Sequence, residues 1–172
     1  IRCPGGKTGS FTVPASINSL RPGAFAGCWK LTWIDTDPEH KTFGSFDGLL
    51  YADRDLLSLL QCPAGRSGPV TLAPSTFEFV GAAPFAGCTQ ITSLNLGPAV
   101  PEHLNASRAF ADCISLARVD VAPENPGLSS LDGLLYNKAM TWLHWCPHGR
   151  TGTVTLAETT VDIDETAFRG AA

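Results

Sequence analysis

The stretch that decides the fold is Ala109-Phe110-Ala111-Asp112-Cys113-Ile114-Ser115-Leu116-Ala117-Arg118-Val119-Asp120-Val121. A small residue and a phenylalanine lead to a cysteine, and apolar residues then alternate with Arg118 and Asp120. That alternation is the period of two of a β-strand with one buried face. The same string stands one unit earlier, as Pro84-Phe85-Ala86-Gly87-Cys88 followed by Ile91, Leu94 and Leu96. It stands again further upstream, as Ala24-Phe25-Ala26-Gly27-Cys28 followed by Leu31, Ile34 and Thr36. Phe168 begins a fourth copy in which Ala171 replaces the cysteine.

Two further words repeat. Cys3-Pro-Gly-Gly-Lys-Thr-Gly9, Cys62-Pro-Ala-Gly-Arg-Ser-Gly68 and Cys146-Pro-His-Gly-Arg-Thr-Gly152 each precede a short β-like stretch. Asp47-Gly-Leu-Leu-Tyr51 recurs at Asp132 to Tyr136. The interval from Cys62 to Cys146 exceeds that from Cys3 to Cys62 by the interval from Cys88 to Cys113, so one unit has been inserted in the second half. That unit, of about 25 residues, falls within the roughly 20–29 residues that leucine-rich repeats use per turn of a solenoid. The strand word L-x-x-L-x-L fits Leu31 to Thr36, Ile91 to Leu96 and Leu116 to Val121. The expected fold is therefore an α/β repeat solenoid of the leucine-rich kind. Six rungs are expected, with strands near residues 11–13, 34–36, 70–72, 94–96, 119–121 and 154–156. Each phenylalanine word supplies a 3₁₀ or short helical turn on the convex side, its ring filling the core. Two β-hairpins are expected as insertions at 46–62 and 131–146, turning at Ala52 to Asp55 and at Asn137 to Ala139.

These words together resemble the BspA-like, or Treponema-pallidum-type, leucine-rich repeats, over essentially residues 3–170. Pro84 where that family has Ala, and Ala171 where it has Cys, are the departures. The resemblance implies a non-catalytic module, secreted or displayed on a bacterial or protist cell surface. It implies adhesion to host or matrix proteins or to cell-surface glycans. A structural spacer in a large surface protein and an accessory module of a glycan-degrading enzyme are the alternatives. The chain opens inside a Cys-Pro loop and stops inside a phenylalanine word. The whole of 1–172 is thus expected to be one solenoid from a longer array, whose uncapped ends self-associate.

Composition narrows the rest. The 172 residues carry 16 acids against 12 bases, a net charge of -4. Nucleic acid is disfavoured as a partner, because its binders present a basic face. No apolar run approaches the roughly 20 residues of a membrane span. Seventeen glycines and 13 prolines suit a chain that turns at every rung. Six cysteines at two repeat positions fit buried thiols stacked in a ladder. A Cys88–Cys113 disulfide between successive rungs remains geometrically open.

Apparent chemical motifs dissolve against their repeats. Gly5-Gly6-Lys7-Thr8 ends like a phosphate loop, yet Ile1 stands where the first glycine belongs. His144 and His148 align with Leu60 and Ala64, and four zinc ligands are not in view. The pairs at Asp35/Asp37, Asp53/Asp55 and Asp162/Asp164 lack the rest of a calcium loop. Asn105-Ala106-Ser107 is a glycosylation sequon that matters only in a eukaryotic secretory route. No nucleophile elbow or His-Glu-x-x-His word occurs. No enzymatic activity, metal or cofactor is expected. If Ile34, Leu94, Leu96, Val119 and Val121 point inward, then Trp33, Asp35, Asn95, Arg118 and Asp120 point outward. These five form the expected ligand face, with Ser93, Thr12, Thr71 and Thr155 beside them. Trp142 and Trp145 fall on opposite faces of the second hairpin.

Overall fold

The structure is a computed structural model that describes residues 8–21, 24–25, 27–81 and 83–170. The first Cys-Pro loop up to Lys7, with Cys3, lies outside the described residues, as do Ala26 and Ala171. The chain winds as a β-solenoid of about seven turns with few helices.

Long strands follow the leucine-rich words. β1 (Thr8–Val13) pairs in parallel with β2 (Lys30–Thr36). β3 (Gly44–Phe46), β4 (Leu49–Tyr51) and β5 (Ser58–Gln61) form an antiparallel meander. β6 (Ser67–Thr71) comes next, then the short β7 (Glu78–Phe79), which pairs in parallel with β5. β8 (Gln90–Leu96) lies between β6 and β9 (Arg118–Val121) in a parallel sheet, and α1 (Ala106–Ala109) sits on the connection between β8 and β9. β10 (Leu128–Leu131), β11 (Leu134–Asn137) and β12 (Trp142–Trp145) repeat the meander, closed by β13 (Asp162–Ile163).

The alternation of the strand words decides what is buried. Leu31, Ile34, Ile91, Leu94, Leu116 and Val119 are fully buried. Each such side chain contributes about 1.5–3 kcal/mol relative to exposure. Phe25, Phe85 and Phe110 enter the core as expected. The Phe85 and Phe110 rings meet edge-on at 5.2 Å, and Phe110 continues to Trp145 at 5.3 Å, so aromatic contacts run from rung to rung. Phe168 is the exception at 43% exposed, and Val161 and Ile163 beside it are exposed too.

Four expectations need correction. The helical half of the α/β expectation is thin: α1 is the one helix among the described residues, and the remaining phenylalanine words are turns. Residues 154–156 form no strand. β1 and β6 are held by the parallel strands β2 and β8, and residues 154–156 have no such neighbour among the described residues.

Each insertion has three strands where two were expected. The additional turn is the Asp-Gly pair itself, at Asp47-Gly48 and Asp132-Gly133. Both residues of each pair have positive φ, 49° and 73° in the first copy and 51° and 78° in the second. That is the signature of a type I′ turn, whose twist matches the strands it joins. The cysteine ladder is not all thiol. Cys28 is disulfide-bonded, while Cys62, Cys88, Cys113 and Cys146 are buried thiols.

Candidate functional site

The outward rows of the parallel strands make the candidate binding surface. One row runs Thr12, Asp35 on β1 and β2, then Thr71, Asn95, Asp120 on β6, β8 and β9. A second runs Ser10, Trp33, then Pro69, Ser93, Arg118. All five singled-out residues therefore lie on one face of their strands. Asn95 and Asp120 are direct cross-strand neighbours, and Arg118 pairs across to Ser93. Asn95 donates its amide to Thr71 Oγ1 at 3.1 Å. Arg118 grips Asp120 with two hydrogen bonds of 2.9 and 2.5 Å. Both partners are open to solvent, so this pair orders the guanidinium more than it stabilises the fold.

Trp33 and Asp35 lie apart from these three, beyond the first Asp-Gly tip. The tip takes a place in the sheet between β2 and β6. Gly48 accepts from the Ile34 amide at 2.9 Å. Asp47 accepts from the Thr71 amide at 3.1 Å and from Arg66 at 2.8 Å. Trp33 lies across Gly48 so closely that an added Cβ would come within 2.4 Å of the indole. Arg66 then stacks on that ring, its guanidinium carbon 4.7 Å from the centroid. Trp33 is consequently half-buried. It braces the tip as well as facing out.

The second copy preserves this plan with different residues. Gly133 accepts from the Val119 amide at 2.9 Å, and Asp132 is bonded to Arg150. Arg118 takes the place of Trp33, since a Cβ on Gly133 would meet Arg118 Cβ at 2.6 Å. Arginine and tryptophan thus occupy equivalent seats over a glycine.

Two grooves flank the α1 segment on the outer side. One, about 510 Å³, lies between that segment and β7 and includes Phe77, Glu78, His103 and Arg108. The other, about 570 Å³, faces β12 and the segment that follows β13 and includes Glu102, Trp142, His144 and Asp164. Trp142 is 38% exposed while Trp145 is fully buried, in agreement with their alternation on β12. The His144 ring rests 4.6 Å from that of Trp142. Burial holds its pKa below the ordinary value, against the opposing pull of Glu102 and Asp164. Trp29, 63% exposed, escapes the strand pattern because it precedes β2.

Several sequence motifs resolve into structural parts. Asp53 accepts from the Leu57 and Ser58 amides at 2.9 Å each and so caps the loop before β5. Asn105 of the sequon caps α1, accepting from the Arg108 amide at 3.0 Å. Among the described residues no three His, Cys, Asp or Glu side chains gather as metal ligands. Thr8 belongs to β1, and the rest of the phosphate-loop look-alike lies outside the described residues.

Asn125 is a buried polar residue that the strand pattern does not single out. It donates to the Gly97 and Val100 carbonyls at 3.0 and 2.8 Å and accepts from the Gly127 and Leu128 amides at 3.0 and 2.7 Å. It ties one rung to the next. His40 fills the matching place before the first meander, its Nδ1 accepting from the Thr42 and Phe43 amides. The signal for both is a polar residue soon after the strand word, one place beyond the Asn or Cys position of the leucine-rich pattern.

Fold and face together define a β-solenoid whose parallel strands present a polar row to solvent. No family model and no curated protein matches the sequence. Solved structures do. The pneumococcal vaccine antigen PcpA is similar over 68% of this chain and 28% of its own, at 20% identity and a TM-score of 0.54. A leucine-rich repeat protein from Eubacterium ventriosum is similar over 99% of this chain and 64% of its own, at 13% identity and a TM-score of 0.44. A leucine rich cell surface protein from Faecalibacterium prausnitzii is similar over 98% and 55%, at 16% identity and a TM-score of 0.46. The likeness to the pneumococcal antigen is one of fold. The chain spans less than two thirds of each of these proteins. Among the described residues, no helix is long and apolar enough to cross a membrane.

Proposed function

We propose that this chain is part of a longer leucine-rich-repeat array displayed outside a bacterial cell, and that its inner sheet binds a protein partner. The observation that carries the reading is the outward row Thr71, Asn95, Asp120, with Arg118 beside it, on strands whose other face buries Val70, Leu94 and Val119. Such rows place polar groups about 4.8 Å apart on a rigid backing, the extended surface solenoids use for recognition. Trp33 adds a flat aromatic at one end, a residue type enriched in binding hot spots. The BspA-like resemblance supports adhesion as the role and the cell surface as the place. The fold shared with a pneumococcal vaccine antigen is in keeping with both.

The test is direct binding of the purified chain to immobilised extracellular-matrix proteins, with an array of surface glycans as a second arm. Asn95→Ala, Arg118→Ala and Trp33→Ala should each weaken capture by tenfold or more, while Glu39→Ala, exposed away from the sheet, should not. Capture by glycans alone would move the reading to a carbohydrate ligand. Capture unchanged in all three variants would leave the inner sheet without a role and favour a spacer.

A further inference from the structure

Cys62 opens the second Cys-Pro loop, and Cys88 closes the phenylalanine word that follows it. The folded chain brings them together with no exposure to solvent. Both thiols point at one carbonyl. Pro63 O is 3.8 Å from Cys62 Sγ and 3.5 Å from Cys88 Sγ. Cys88 Sγ also lies 3.7 Å from Cys62 O, so the Cys88 thiol reaches both carbonyls at the start of the Cys-Pro loop.

The repeat supplies an independent observation. Cys28 occupies the same place in the preceding phenylalanine word, and it is disulfide-bonded. In sequence, the Cys-Pro cysteine that precedes Cys28 is Cys3, at nearly the spacing that separates Cys62 from Cys88. The third copy lacks the second member, since Ala171 stands as far after Cys146 as Cys28 stands after Cys3. Cys113 belongs to the inserted unit, which has a phenylalanine word but no Cys-Pro loop of its own before it.

We propose that Cys62 and Cys88 form a structural disulfide that staples the Cys-Pro loop to the following rung, leaving Cys113 and Cys146 as thiols. The bond forms by exchange with a small-molecule disulfide such as oxidised glutathione. One thiolate attacks it, releasing one glutathione and leaving a mixed disulfide. The second cysteine then displaces the second glutathione. Two protons and two electrons leave the pair and end on two glutathione thiols. The neighbouring Cys62 and burial hold the Cys88 thiol far above its ordinary pKa. The reactive thiolate is therefore scarce in the folded chain, which places the bond-forming step during folding.

The experiment refolds the full reduced chain in a glutathione redox buffer, quenches with acid and alkylates free thiols under denaturing conditions. Tryptic cleavage after Arg54, Arg66, Arg108 and Arg118 puts Cys62, Cys88 and Cys113 on separate peptides. Non-reducing mass spectrometry should find the Cys62 and Cys88 peptides joined and Cys113 and Cys146 alkylated. The same linkage should survive in Cys113→Ser. Alkylated Cys62 and Cys88, or a Cys88–Cys113 linkage, would overturn the proposal. This result is independent of the ligand and of the cell-surface reading.

Discussion

Replacing Gly48 with alanine perturbs the contact that seats the first hairpin tip in the inner sheet. Two costs add at this position. Its φ of +73° is left-handed, which costs an L-residue roughly 1–2 kcal/mol. The new methyl would also fall 2.4 Å from the Trp33 indole, itself held by Arg66; forcing such a group into a packed contact costs about 1–3 kcal/mol. Gly68 is the internal control. Its φ is +76°, yet nothing lies within 4 Å of a Cβ built there. Gly68→Ala should therefore cost about 1–2 kcal/mol and Gly48→Ala about 2–5 kcal/mol. Removing the ring should erase the difference, so that in a Trp33→Ala background Gly48→Ala costs no more than Gly68→Ala. Urea unfolding followed by circular dichroism and by tryptophan fluorescence measures the full cycle. Equal losses for the two glycines, or no coupling between Trp33 and Gly48, would refute the idea that the indole locks the tip.

Other outcomes follow from the polar groups that the fold buries. Tyr51 accepts from the Ala73 amide at 2.9 Å and bonds Thr76 at 3.1 Å, so Tyr51→Phe should cost about 1–3 kcal/mol in urea unfolding. Tyr136→Phe should cost less, because its hydroxyl accepts a longer bond, 3.3 Å from the Ala157 amide, in a half-buried setting. His144 gives a pH dependence of known sign. Its folded pKa is lowered, chiefly by burial. The unfolded chain therefore binds the proton first, and stability is lost as pH falls from the ordinary histidine value toward the folded one. The urea midpoint of the wild type should drop over that window more steeply than that of His144→Gln. Parallel curves would show that the imidazole is not desolvated.

Much of this architecture was legible because a repeat states its register several times. Three phenylalanine words and three Cys-Pro loops located the strands, and alternation correctly put Ile34, Leu94 and Val119 inside. The five outward residues could be named for the same reason. What they touch could not. Arg66 comes to Trp33, and Arg150 to Asp132, from a Cys-Pro loop one turn away, a contact that strand periodicity does not encode. The Asp-Gly turns were visible as letters, but the serine-rich segments before them, Gly44 to Phe46 and Leu128 to Leu131, carry too weak a strand pattern to mark a third strand. The Cys28 bond was hidden by an argument from number: equal spacing explains why cysteines recur and says nothing about which neighbours are oxidised.

The inserted unit has a consequence beyond length. It carries β8 and α1, and it places α1 between the strands of one hairpin sheet and those of the other. Both outer grooves owe one wall to it. The distance between the two lateral sheets is then counted in whole rungs, about 4.8 Å each, like teeth on a rack. Deleting the unit would bring the hairpins together and close both channels in one step. Duplicating it would set them wider without disturbing either hairpin. The side of such an array can thus be retuned by copying one short segment, while every inner row keeps its register.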